Sequence, residues 1–193
     1  MSASGIRLPL KLHPDSRCDA LTGLEVEVAR LGPRRLFLRF LPTPGFRHVR
    51  SERPRWGAAE RRDELWRHTC FEAFIRAGGE SAYYEFNLAM SGDWNAYRLS
   101  GYRKGMEPLK EADPPSGDPF WRAPPSAPAF SAVLELERLA ALPVHEPWHV
   151  GLSAVIEERN RRISYWALEH PRGAPDFHHP DCFALELPAA RPA

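Results

Sequence analysis

From Gly23 to Leu31 the chain reads Gly-Leu-Glu-Val-Glu-Val-Ala-Arg-Leu. Leu24, Val26 and Val28 fall on one side, Glu25 and Glu27 on the other, as in an antiparallel strand half-buried against a core. The same period returns from Arg35 to Leu41, where Leu36, Leu38 and Phe40 share a face. Further strand candidates are Leu8 to His13, Phe71 to Arg76, Tyr83 to Ala89, Asn95 to Tyr102 and Phe130 to Leu136. His149 to Glu157, Ile163 to Leu168 and Phe183 to Leu187 complete the series. A helix repeats every 3.6 residues and does not produce this alternation. The chain also carries 20 Pro and 13 Gly, and proline removes a backbone donor and ends helices. Ala58 to Trp66 is the one run of helix formers. Ala77-Gly78-Gly79-Glu80 and Glu158-Arg159-Asn160-Arg161 read as turns between strands. The expected fold is all-β: a single antiparallel β-sandwich domain over residues 1–193, with about ten strands and little helix.

Composition narrows the function. Lys and Arg total 26 against 25 Asp and Glu, a net charge of +1. So balanced a chain lacks the basic excess that binds nucleic acid by releasing counterions. No apolar run approaches the length of a membrane helix. The opening Met-Ser-Ala-Ser-Gly-Ile-Arg has no basic segment followed by an apolar core, so no secretory signal is expected. Cys18, Cys70 and Cys182 are too few, and odd in number, for a disulfide framework. The expected compartment is a reducing cytoplasm, with free thiols, no nucleic acid and no membrane as partner.

No catalytic motif stands out. Gly-x-Ser-x-Gly is absent, and Ser91-Gly92-Asp93 is a turn signature. His170, His178, His179, Asp181 and Cys182 have the chemistry of zinc ligands, but their spacing matches no finger or ribbon. A proline-punctuated polar loop accounts for them, and no metal is expected. The segment from Arg47 to Arg67 interleaves arginines with Glu52, Glu60, Asp63 and Glu64, as a solvated surface does. Glu72 and Glu85 lie on consecutive strand candidates and could form the carboxyl pair of a glycosidase, or simply belong to a polar strand face. Asp113 to Phe130 has prolines at 114, 115, 119, 124, 125 and 128, and is expected to be a long mobile loop that holds Phe120 and Trp121. Aromatic residues are the strongest chemical signal, with six Trp and five Tyr. Their flat faces suit the apolar C–H surface of a sugar, and their N–H and O–H edges suit its hydroxyls.

A resemblance sharpens this reading. It is carried by Glu64-Leu-Trp-Arg-His-Thr-Cys-Phe-Glu-Ala-Phe-Ile, by Tyr84-Glu-Phe-Asn-Leu-Ala-Met-Ser-Gly-Asp-Trp-Asn-Ala-Tyr-Arg and by Gly101-Tyr-Arg-Lys-Gly-Met. Trp148-His-Val-Gly-Leu-Ser-Ala-Val-Ile-Glu and Ile163-Ser-Tyr-Trp-Ala-Leu-Glu-His-Pro-Arg-Gly-Ala-Pro-Asp-Phe-His add to it. Together they resemble the bacterial DOMON-like proteins, relatives of family 9 carbohydrate-binding modules, over most of residues 8 to 188. The resemblance implies a jelly-roll-type β-sandwich that binds a small ligand, most simply a sugar, without catalysis and without a cofactor. Trp66 and Trp166 resemble the stacking tryptophans of those modules, Glu72 their site glutamate and Arg98 their hydroxyl-gripping arginine. Asn87 is a further candidate on the same rim. His68-Thr69-Cys70 departs from the Asp common there. The haem-binding branch of the superfamily supplies an alternative, with Met90 or Met106 and one of His68, His170, His178 or His179 as axial ligands. An enzyme acting on glycosides and a protein-interaction scaffold are the remaining alternatives.

Overall fold

The computed structural model describes residues 5–51, 59–116 and 129–190. Its strands are β1 (Ile6–Leu12), β2 (Gly23–Gly32), β3 (Arg35–Thr43), β4 (Cys70–Ala77), β5 (Tyr83–Ala89) and β6 (Trp94–Leu99). They continue with β7 (Glu107–Pro108), β8 (Phe130–Glu135), β9 (Trp148–Glu157), β10 (Ile163–Ala167) and β11 (Leu185–Leu187). Hydrogen bonding runs in the order β7-β6-β5-β4-β9-β10-β1-β2-β3-β8, and β11 pairs with β9. Every pairing is antiparallel.

This path folds into two layers because β1 serves both. Ile6 to Leu10 pairs with β2, whereas Lys11 and Leu12 pair with β10. One layer is thus β1-β2-β3-β8, and the other is β7-β6-β5-β4-β9-β10 with β11. Their facing side chains form one core. Val26, Val28, Leu36, Leu38 and Phe40 meet Phe71, Ile75, Phe86, Leu152 and Ile156. Phe71 stacks on Phe130 with centroids 4.4 Å apart and touches Phe40 at 4.7 Å, which stitches the layers together. The expected all-β sandwich is the observed one.

The larger sheet has a second apolar cluster on its outer face. Cys70, Phe74, Tyr83, Tyr97, Leu99 and Val155 lie there beneath Phe177 and Phe183 of the segment after β10. Strands β4, β5 and β9 are therefore buried on both sides and show near-continuous burial. Antiparallel strands open to water on one face would alternate instead. The two expected turns form, and Gly78 adopts φ 50° to close the first of them. Glu80 N–H then bonds Ala77 O at 3.1 Å.

Three expectations at element level need correction. The described part of Ala58 to Trp66 forms no α-helix. Glu64 sits at φ 60°, outside the right-handed region, so only a 3-10 turn at Leu65–Arg67 follows. The strand expected to run to Tyr102 stops at Leu99, because Lys104 N–H turns back to Gly101 O at 3.0 Å. The short β7 was not anticipated. Most of the proline-rich stretch, residues 117–128, lies outside the described residues, as does Trp56. Its near end is paired, with Ser116 and Val133 exchanging two backbone bonds of 2.9 Å. Among the described residues no helix is long and apolar enough to cross a membrane.

Candidate functional site

Antiparallel register sets a polar row across the outer face of the larger sheet. Asn95 of β6 faces Asn87 of β5, Asn87 faces Glu72 of β4, and Glu72 faces Ser153 of β9. Glu85 lies two residues before Asn87, on the same face, opposite Phe74 and Tyr97. Glu72 is 3% exposed, Glu85 4% and Asn87 0%. A row of polar groups in so enclosed a place must find partners or lose stability. Some do. The Asn87 amide donates to Glu85 Oε1 at 2.7 Å, and the Ser153 hydroxyl donates to Glu72 Oε2 at 3.1 Å. Glu85 Oε2 has no partner among the described residues.

Above this floor lies a cleft of about 310 Å³. Trp66 and Tyr165 are among its walls, with Arg103, Phe177 and His178 around its mouth. Trp66 is carried by the 3-10 turn and meets Tyr97 edge-on, with centroids 5.8 Å apart. The turn is tied to the sheet by Asp63, whose Oδ1 accepts from Tyr97 Oη and from Asn95 Nδ2, both at 2.8 Å. Arg103 belongs to the loop after β6, where it holds φ 51°. Its Nε and Nη2 donate to Asp176 Oδ1 at 3.1 and 2.8 Å, and Tyr102 Oη donates to Asp176 Oδ2. Asp176 thereby fastens the loop after β6 to the loop after β10 at the edge of the cleft.

Enclosure shifts the ionisation of the floor. Burial, reinforced by the charge of Glu85, pushes the Glu72 carboxyl up to about 8. Burial pushes Glu85 up to about 7, while the Asn87 amide and the Arg103 charge pull the other way. His178 is pushed down to about 4 by burial and by Arg103, so its ring is neutral near pH 7. It is hydrogen-bonded through Nδ1 to Tyr83 Oη at 2.9 Å. Near neutral pH Glu72 is mostly protonated and Glu85 close to half-protonated, so the floor can both donate and accept. A hydroxyl group has the same two capacities.

The expected site residues separate by face. Trp66 and Glu72 both line the cleft. Asn87 lies beneath it, as the donor to Glu85. Trp166 does not reach it. Successive residues of a strand point to opposite faces, so Tyr165 faces the cleft while Trp166 packs into the core between the layers, 4% exposed. The Trp166 indole N–H donates to Ser164 Oγ at 3.1 Å. Arg98 follows Tyr97 and by the same rule lies on the side away from the cleft, exposed and opposite Glu107 of β7. Glu85, Tyr165 and Arg103 complete the cleft, and the reading from resemblance did not select them. Both Glu85 and Tyr165 lie in the segments that carry the resemblance, Tyr165 one strand position before Trp166 and Glu85 two before Asn87.

Other clusters are absorbed locally. Cys182 Sγ donates to the carbonyls of Asp176 and Glu169, His170 Nε2 to Lys11 O, and His179 Nδ1 accepts from Asp181 N–H. Among the described residues no group of three or more His, Cys, Asp or Glu could hold a metal ion. Of the methionines and histidines considered for haem, Met106 and His178 line the cleft, Met90 packs into the core, and His68 pairs with Glu157 at 2.8 Å. A second cleft of about 240 Å³ includes Arg50, Arg62, Asp93 and Glu157. These four are paired within it, Arg50 on Glu157 at 2.8 Å and Arg62 on Asp93 at 3.1 Å.

No family model matches the chain, and no curated protein matches it by sequence. Solved structures do match in fold. A protein from Bacteroides uniformis, provisionally assigned as carbohydrate-binding, superposes with a TM-score of 0.58 at 14% identity, covering 92% of this chain and 84% of that one. A family 9 carbohydrate-binding module from Caldicellulosiruptor kristjanssonii in complex with cellotriose aligns with a TM-score of 0.44 at 11% identity, over 85% of this chain and 74% of that one. The same kind of module with glucose gives 0.42 at 13% identity, over 85% and 76%. The Bacteroides structure shares the architecture of this chain, a two-layer antiparallel sandwich with the same broad course.

Proposed function

We propose that the protein is a non-catalytic binding module of the DOMON-like kind, related to family 9 carbohydrate-binding modules, whose ligand is a small sugar or sugar-containing compound. The observation that carries the proposal is the cleft itself. The aromatic side chains of Trp66 and Tyr165 stand over a buried floor whose carboxyls both donate and accept, with one carboxyl oxygen unpartnered. A sugar offers apolar C–H patches to the first and hydroxyls to the second. The size is in keeping, because a cleft of about 310 Å³ lies at the small end of ligand pockets and suits one or two sugar rings. The fold agrees as well, since the Bacteroides protein that shares it is provisionally assigned to carbohydrate binding.

Binding is expected to be weak, no tighter than micromolar, because a small polar ligand gives few atoms of contact and both partners lose water. Titration of intrinsic fluorescence with neutral and amino monosaccharides and disaccharides tests the proposal. At least one sugar should perturb the emission of the wild type, and Trp66→Ala should abolish that response. If no sugar in the panel binds, as checked by calorimetry, the proposal fails.

A further inference from the structure

Two carboxyl side chains share the cleft floor, and Arg103, a cation on the same cleft, forms its ion pair with Asp176 instead. Glu72 and Glu85 stand diagonally on neighbouring strands, a placement that separates backbone positions by roughly 7–8 Å. Both are almost wholly buried, and neither is in an ion pair among the described residues. Glu72 takes one hydroxyl bond from Ser153, Glu85 one amide bond from Asn87, and Glu85 Oε2 takes none. Buried acids are normally paired or bound to a metal. Here each meets its burial by holding a proton instead, as their raised ionisation points show.

The surrounding groups supply only part of the missing charge. Arg103 lines the cleft and its charge acts on Glu85, but two of its N–H groups are engaged by Asp176 and it is in no ion pair with either floor carboxyl among the described residues. His178 carries no charge near pH 7. From β6, the Tyr97 hydroxyl donates to Asp63 rather than to the floor. Cys70 of β4 lies on the same face, and its thiol is held protonated chiefly by burial. Tyr83 of β5 is likewise raised, to about 12, and stays neutral. What faces the two acids from the walls is aromatic: Trp66 from the 3-10 turn and Tyr165 from β10. Ring faces attract a cation and offer nothing comparable to an anion. An ammonium group has three donors and can meet two carboxylates at once.

Given the sugar-binding reading, we propose that the ligand is a cation as well as a polyol: an amino sugar or hydroxylated amine of similar size, whose ammonium group sits between Glu72 and Glu85 in place of their protons while its ring rests against Trp66 and Tyr165. Proton balance follows. The protonated amine enters, the floor gives up to the buffer the one to two protons it holds near pH 7, and the complex carries two ionised carboxylates with one ammonium. A neutral sugar binds the protonated floor and releases nothing.

Calorimetric titration of the wild type near pH 7 with glucosamine, glucose and N-acetylglucosamine separates these cases, run in two buffers of different ionisation enthalpy. Glucosamine should bind at least about tenfold more tightly than the two neutral sugars, a gain in keeping with charge-assisted hydrogen bonds. Its binding should release about one to two protons and weaken as the pH is lowered toward about 5.5, where the floor takes its protons back. Glu72→Gln and Glu85→Gln should each bring glucosamine to within about twofold of glucose, because one carboxylate is gone. Glutamine is close in shape to a protonated glutamate, and circular dichroism checks that each variant folds. If a variant does not fold, the wild-type comparison of charged and neutral sugars decides alone. Equal binding of glucose and glucosamine by the wild type, with no proton release, overturns the cationic ligand and leaves the sugar-binding reading standing. If no sugar of any charge binds, both fall.

Discussion

Trp66 and Trp166 lie on opposite sides of the larger sheet, so truncating them should have opposite consequences. Trp166 is 4% exposed among core residues such as Ala154 and Leu168. An indole buries about 200 Å², which at ~25 cal/mol per Å² amounts to about 5 kcal/mol of transfer free energy. Alanine retains a small part of that, and the walls of the cavity relax only partly. Trp166→Ala should therefore cost about 3–5 kcal/mol. It also leaves Ser164 Oγ, itself fully buried, without the indole N–H donor. Since a domain of this size loses about 2–4 °C of Tm per kcal/mol, the transition should move down by about 6–20 °C. Trp66 is half-buried and meets Tyr97 by an edge contact, so Trp66→Ala should cost about 1 kcal/mol. Urea unfolding of both variants, at unchanged m-value, measures the difference. Sugar titration then asks the second question of the more stable one: Trp66→Ala should fold and fail to bind. If Trp166→Ala stays within about 1 kcal/mol of wild type, or the two lose stability equally, the assignment of faces is wrong.

Three further outcomes follow from the same contacts. Raised carboxyls make the native state bind more protons than the unfolded chain, so Glu72 and Glu85, held at about 8 and about 7 against 4.5 when unperturbed, should make stability fall as pH rises through that range. His178, depressed to about 4, acts in the opposite sense below about 6.5, so the decline should be clearest from about pH 6.5 to 8. Urea midpoints should show it and should lose it in the Glu72→Gln/Glu85→Gln double variant; a wild-type midpoint that rises over this interval contradicts the reasoning. A thiol reagent should find three cysteines in denatured, unreduced protein, and Cys18 first in the native state. Cys70 and Cys182 are buried and their thiols raised, that of Cys182 to about 12. Arg30 lies 3.5 Å over the Trp148 ring and donates to the carbonyls of Pro188, Pro33 and Val144. Lysine cannot reproduce that planar fork, and Arg30→Lys should cost about 1–3 kcal/mol by thermal melting.

Strand positions were legible because alternation is a local signal. The runs at β2 and β3 face water on one side, so their polar and apolar residues separate cleanly, as in Glu25 and Glu27 against Val26 and Val28. The two-residue β7 offers no alternation to detect. What the chain could not disclose was which face of a doubly buried strand looks inward. Tyr83-Tyr84 and Tyr165-Trp166 place an aromatic residue on each side, and only the register of β10 on β9, together with the segment folded over the outer face, decides between them. A one-residue change of face moves every side chain, which is why Arg98 and Trp166 belong elsewhere while Tyr165 meets the cleft. One clue was present. Glu72, Glu85, Asn87 and Ser153 are polar residues within otherwise apolar runs, and polarity placed there needs a partner.

The contrast between the two layers explains why the cleft lies where it does. On the outer face of the smaller layer, charges pair across neighbouring strands in contact with solvent, Arg7 with Glu25 and Arg35 with Glu135. Such pairs are worth little and demand nothing of the fold. The outer face of the larger layer is roofed by the 3-10 turn carrying Trp66 and by the loops that Asp176 ties together. Water that would otherwise solvate Glu72 and Glu85 is largely displaced. Leaving a buried polar group unsatisfied costs about 1–3 kcal/mol, and leucine or methionine on this floor would avoid that cost. Against a total stability of about 5–15 kcal/mol for an ordinary domain, carboxyls kept without counter-ions are a sizeable sacrifice. A ligand that brings hydroxyls and a positive charge restores what enclosure removed. The same roof that raises the ionisation of the floor also supplies the aromatic walls, so the cost of burying the two carboxyls and the surface offered to a ligand have one structural origin.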